Sequence, residues 1–185
     1  MYNQANELLK RLEEKVESLA PNPEYPDDTF VMATLEEAIA AAKEGNFGVG
    51  AVLVNTDGEI VQRGHNHVFN PHFRSDLHAE MDVMTKFEER FKDVKSLKGY
   101  TLYTSLEPCP MCLTRLITSG VSRVYHAAPD KDSGMRLQNL TPVWVQLAGE
   151  QEFAPARCSP ELSDIALQVF LVTANESTRK LQERR

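Results

Sequence analysis

Apolar residues recur along this chain with two periods, and the switches between them mark out the elements. Leu8, Leu12, Val16 and Leu19 repeat at helical spacing in a charged background, which predicts an amphipathic helix ended by Pro21-Asn22-Pro23. Met32, Leu35, Ile39 and Ala42 repeat the same way, with Asp27, Asp28 or Thr29 available as a cap and Gly45 as the stop. Then the period changes. Residues 49–54 are a short apolar run, Asn55-Thr56-Asp57-Gly58 is a turn signal and Glu59-Ile60-Val61 is the return, a pattern that predicts a β-hairpin. Helical spacing comes back at Met81, Met84, Phe87 and Phe91 behind His78, and at Leu113, Leu116 and Ile117 between Pro110 and Gly120. Strands are predicted over 100–104 and 121–126, and the helix between them makes a β-α-β unit with parallel pairing. A further strand is predicted over 143–147 and loop over 148–160. Leu162, Ile165, Ala166, Val169 and Phe170 begin a last helix that runs into Arg179, Lys180, Arg184 and Arg185.

These elements predict an α/β fold with three α/β/α layers around a mixed sheet of about five strands. The expected division is a helical extension over 1–28, a core over 29–155 and a C-terminal helix over 156–185 that packs on that core. At 185 residues and 42% hydrophobic, the chain suits one well-buried core. It carries no apolar run of membrane-spanning length, and Met-Tyr-Asn-Gln-Ala-Asn-Glu lacks the basic-then-apolar order of a secretory signal, so a cytoplasmic protein is expected. The net charge of −7 is concentrated in residues 1–37, where only Lys10, Arg11 and Lys15 offset nine acids. That lowers the expectation of a nucleic-acid substrate without removing it.

Cys109 and Cys112 form a Cys-x-x-Cys pair on the first turn of their helix, where orphan amides and the positive dipole end favour the thiolate a metal needs. His78 opens the preceding helix and supplies a third ligand for zinc. Three protein ligands leave one position for water. Side chains on a first helical turn lean toward the N-terminus, so Glu80 can approach an ion held beyond the helix end without being needed as its ligand. It is therefore a candidate proton carrier. The competing reading is a closed structural site, with His126, His72 or Cys158 as a fourth ligand and Glu80 incidental. His65, His67 and His72 lack the i, i+4 spacing of a helical histidine pair and read as surface or loop residues. Cys158 is left over, so no disulfide framework is implied.

His78-Ala79-Glu80 together with Pro108-Cys109-Pro110-Met111-Cys112 resembles the zinc signature of the cytidine deaminase superfamily, a known pattern for enzymes that deaminate nucleobases. The likeness also takes in residues 49–54, Gly64-His65-Asn66 and 102–107, and so covers roughly residues 29–135 of the chain. It implies one zinc ion, Glu80 as proton shuttle, and Asn66, Val49, Ala79 and Ser105 around the substrate, with main-chain groups near Leu106, Glu107, Cys109 and Ala79 adding contacts. It also implies a homodimer, an expectation that the stripe on the first helix supports. The substrate expected is a small nucleobase or nucleoside, with tRNA adenosine as the alternative and a non-catalytic zinc-stabilised interaction protein as the third reading. Val49 stands where guanine deaminases of the superfamily have Phe, and in this it resembles tRNA adenosine deaminases. Asp130-Lys131-Asp132-Ser133 replaces the Gly-Phe-Asp-Asp of guanine deaminases.

Overall fold

The computed structural model describes residues 2–185, which form six helices and five strands. They run α1 (Tyr2–Ser18), α2 (Asp28–Lys43), β1 (Gly50–Val54), β2 (Ile60–His65), α3 (Ala79–Arg90), β3 (Thr101–Leu106), α4 (Pro110–Ser119), β4 (Arg123–Ala128), a 3-10 turn (Leu137–Asn139), α5 (Pro142–Ala148), β5 (Glu152–Pro155) and α6 (Pro160–Gln182). The sheet order is β2-β1-β3-β4-β5. β1 is antiparallel to both β2 and β3, and β3, β4 and β5 are parallel, so the sheet is mixed as expected.

Two glycines show how the layers form. A Cβ on Gly50 would stand 2.3 Å from the Thr34 carbonyl oxygen of α2, and one on Gly64 would stand 3.0 Å from the Val83 amide nitrogen of α3. Gly50 pairs with His65 and Gly64 with Ala51, so the two glycines sit on opposite sheet faces. α2 therefore covers one face and α3 the other, each drawn in closely because its facing residue has no side chain. Leu35, Leu53, Met84, Leu102 and Ile165 belong to the main core, and Leu9, Leu12 and Val16 of α1 join the same cluster. Among the described residues no helix is long and apolar enough to cross a membrane.

Several elements depart from what their sequences predict. Residues 143–147 form helix α5 and not a strand: Pro142 sets the first helical position, and the alternating Val143, Val145 and Leu147 are exposed. Trp144 packs toward Leu113 and Ile117 of α4, and that contact decides the element. The fifth strand is β5, inside the stretch expected to be loop. It is a short edge strand ending in Pro155, with only Phe153 and Ala154 as apolar signal, which a sheet edge tolerates. On α1 the buried stripe is Leu9, Leu12 and Val16, while Leu8 is 42% exposed. That stripe is covered within the chain, by α2 and α6. The argument it supplied for a homodimer therefore falls.

Asp27 and Asp28 do not cap α2 through their side chains. Asp27 accepts hydrogen bonds from the Tyr103 hydroxyl (2.9 Å) and the Arg157 amide (2.7 Å), and Asp28 accepts from the Ser159 amide (2.7 Å) and the Asn22 amide (3.1 Å). Both carboxylates are buried and join the start of α2 to β3 and to the entry of α6. Asp27→Ala leaves a buried hydroxyl and a partly buried amide without their acceptor. It is expected to lower stability by about 2–4 kcal/mol, read as a fall in the urea midpoint; an unchanged midpoint would show that this tie holds nothing together.

Candidate active site

Two helix starts meet at the end of the sheet. His78 and Cys109 are the N-cap residues of α3 and α4, each with extended backbone (ψ 165° and 170°), and neither uses its side chain to cap its own helix. The side chains turn toward each other instead. Pro110 fixes the first position of α4 and Gly120, at φ 73°, ends it, so Cys112 lies on the first turn beside Cys109.

One donor atom each from His78, Cys109 and Cys112 lies within 4.8 Å of the other two. Cys109 Sγ and His78 Nδ1 are 3.5 Å apart. A tetrahedral zinc with about 2.3 Å bonds to sulfur and about 2.0–2.1 Å to nitrogen would place those atoms roughly 3.6 Å apart, so the donor set fits the ion in both chemistry and spacing. The thiols are already differentiated. A hydrogen bond from Cys112 outweighs burial and, with His78 alongside, brings Cys109 down to about 4. The same hydrogen bond, added to burial, holds Cys112 well above the ordinary thiol value. Cys112 and His78 thus already favour one thiolate, at Cys109, and a cation would favour the second.

Glu80 sits on the first turn of α3, 3% exposed, with the Thr104 hydroxyl 3.5 Å from its Oε1. Burial, the largest influence, pushes its carboxyl above the usual carboxylate range. It opens with His78 and Cys109 onto a cavity of about 270 Å³. Val49 and Asn66 line the same cavity. The Asn66 carboxamide oxygen accepts from the Val68 amide (3.0 Å), which leaves its NH2 as the donor for a ligand. Ala79 is fully buried behind this surface, and the Ser105 hydroxyl accepts from the Gly50 amide (3.1 Å); neither lines the cavity.

Leu106 and Glu107 line the cavity as the resemblance implies, while the wall built from Phe47 and α6 has no counterpart in the sequence motifs. Phe47 and Phe170 stack with centroids 6.3 Å apart, and Thr178 and Leu181 of α6 extend that side. Leu106, Glu107, Asp130 and Ser133 complete the lining. The loop before β1 is tied to α6 by the Gly48 amide donating to Thr173 Oγ1 (2.8 Å). Glu107 is held in place, accepting from the Asp130 amide (3.1 Å) and from Arg136 (3.2 Å). Phe47 lies two residues before Val49, so an aromatic side chain lines the cavity although Val49 itself is not aromatic.

A sequence model of the cytidine and deoxycytidylate deaminase zinc-binding region matches residues 25–128, more than half of the chain. The chain belongs to this family. The matched stretch holds His78, Glu80, Cys109 and Cys112, and zinc is the family's metal. The tRNA-specific adenosine deaminase of Bacillus subtilis is 39% identical over 58% of this chain, and the chain spans 65% of that protein's length. A solved structure from a study of A-to-I editing by tRNA:A34 deaminases is 27% identical, covers 68% of this chain and 96% of its own, and superposes with a TM-score of 0.59. The guanine deaminase structure from Nitrosomonas europaea covers 84% of this chain and 87% of its own with a TM-score of 0.62; at 23% identity it speaks for the shared fold. Asp130, Ser133, Phe170, Thr178 and Leu181 all lie beyond residue 128. Much of the cavity wall that would select a substrate is therefore outside the family's defining region.

Proposed function

We propose that this chain is a hydrolytic deaminase of a small aminated heterocycle, a purine or pyrimidine base or nucleoside, with zinc held by His78, Cys109 and Cys112. Zinc in such a site activates water as a nucleophile near neutral pH. The protein's own groups handle the protons and the ring. Glu80, buried and with its carboxyl held above the usual carboxylate range, carries the two protons of the attacking water in turn, one to the ring nitrogen beside the amine-bearing carbon and the other to the departing amine. Water is consumed and ammonia released, and the carbon keeps the oxygen as a carbonyl. Thr104 steadies the carboxyl, the Asn66 NH2 meets an acceptor on the ligand, and Phe47 and Phe170 offer aromatic faces to a planar ring.

The observation that carries the choice of a small substrate is the charge of the wall. Glu80, Glu107 and Asp130 line the cavity, and no Lys or Arg does among the described residues. A phosphate brought against that surface would meet Asp130 and Glu107, of which Glu107 alone is paired with a cation, Arg136, whereas an uncharged base would not carry that cost.

One observation favours tRNA adenosine as a second reading. The basic end of α6 does reach the cavity rim, through Thr178 and Leu181, with Lys180 and Arg184 over the rings of Phe69 and Phe73 (5.1 and 3.6 Å). Much of that charge is spoken for, since Arg179 pairs with Glu176 and Glu183, and Lys180 donates to the Gly45 carbonyl (3.0 Å). A screen of ammonia release over guanine, adenine, cytosine, their nucleosides and an adenosine-34 anticodon stem-loop separates the two. Turnover of a free base or nucleoside is the expected result. Salt-sensitive turnover of the stem-loop alone would replace this reading with tRNA editing.

A further inference from the structure

A second set of metal-competent donors lies away from the zinc cysteines, where β2 ends. His65 closes β2, His67 follows two residues later, and Glu44 sits at the C-terminal end of α2; one donor atom of each is within 4.8 Å of the others. Glu44 Oε2 is 3.2 Å from His65 Nε2 and 3.5 Å from His67 Nδ1. Ligands at about 2.0–2.2 Å from a tetrahedral ion stand roughly 3.3–3.5 Å from each other, so one cation could take all three.

The far nitrogens of both rings also face carboxylates. His65 Nδ1 is 2.8 Å from Glu37 Oε2, and His67 Nε2 is 3.7 Å from Asp82 Oδ2. A carboxylate behind a ligating imidazole selects the tautomer that leaves the near nitrogen unprotonated. Charge points the same way. Glu37, Glu44 and Asp82 surround the rings, Lys86 neutralises one of them at 2.5 Å from Asp82, and with neutral imidazoles two negative charges remain to match a divalent ion. The spacing that counted against a histidine pair holds for helices. On extended backbone, residues i and i+2 point to the same side, and here the rings lie 4.2 Å apart.

We propose that Glu44, His65 and His67 form a second divalent-metal site, suited to zinc and to cobalt or nickel in its place. The ion fastens the end of α2 to the segment that carries Asn66, the residue between the two histidines. It thereby fixes a wall of the cavity without touching the chemistry. The assignment stands whether or not the chain proves to be a deaminase.

The test uses the full chain, stripped of metal and reloaded with cobalt or with zinc, each at micromolar free concentration. Cobalt at the cysteine site gives a thiolate charge-transfer band, and cobalt at the proposed site does not. The expected result is two ions per chain, of which His67→Gln and Glu44→Gln each remove one while the thiolate band stays, and Cys112→Ala removes the other together with the band. Two outcomes overturn the assignment: no ion bound beyond the one giving the thiolate band, or an additional ion that survives both His67→Gln and Glu44→Gln. The first of these would leave His65 as an imidazolium shared between Glu37 and Glu44.

Discussion

Glu80→Gln is expected to keep the fold and the zinc while lowering turnover by about 10²–10⁴-fold, the usual share of a positioned proton carrier. The amide fills the same space and can still meet the Thr104 hydroxyl, so the active-site shape is retained. What it loses is the proton. Because burial raises the carboxyl's pKa, the folded state disfavours the charged form of Glu80, and a neutral amide removes that cost. The urea midpoint of the metal-free chain should therefore stay level or rise while turnover of the zinc-loaded enzyme falls, a combination that general damage to the fold cannot produce. Ammonia release on whichever compound the screen identifies, with zinc measured alongside, reads both. Near-normal turnover in the variant would remove Glu80 from the mechanism.

Cys112→Ala is expected to lower zinc by one ion per chain and to abolish turnover. Cys112 is fully buried on the first turn of α4, so an alanine there fits without strain and leaves only a small void. Most of its effect should come through the metal. An ion bound only by the folded chain contributes about 4 kcal/mol when its free concentration is a thousand times its dissociation constant. The melting temperature of the unmutated protein should accordingly drop on adding a chelator that strips this site, and the variant should respond less. Undiminished zinc in Cys112→Ala, with activity intact, would mean that the cysteine pair is not the metal site.

What the sequence discloses follows the range of the forces involved. The ligand set and Glu80 are legible because each half of the signature is local, fixed by the first turn of one helix. The β1–β2 and β3–β4 pairings are legible for the same reason, through a hairpin turn and a β-α-β unit, whereas the β1–β3 pairing that joins them has no local signal. Elsewhere a distant contact decides. Val143, Val145 and Leu147 alternate like a strand, yet Trp144 reaching α4 makes the segment helical. Leu8 and Leu9 suit a stripe equally well, and only the position of α2 and α6 selects Leu9. Phe170, Thr178 and Leu181 enter the cavity because α6 docks beside the loop before β1, which no local spacing encodes. His65 and His67 meet where β2 ends, so the i, i+4 spacing of a helical histidine pair does not apply to them.

The tie between Gly48 and Thr173 spans 125 residues, and that from Asp27 to Arg157 spans 130. On a ribosome adding about 5–20 residues per second, α6 emerges well after Cys112, so the metal ligands are available while one side of the cavity is still missing. The same long separations make the closing contacts entropically expensive and slow to form. A nascent chain can thus acquire its metal before it has a pocket able to tell one base from another, and discrimination is the last property that it gains.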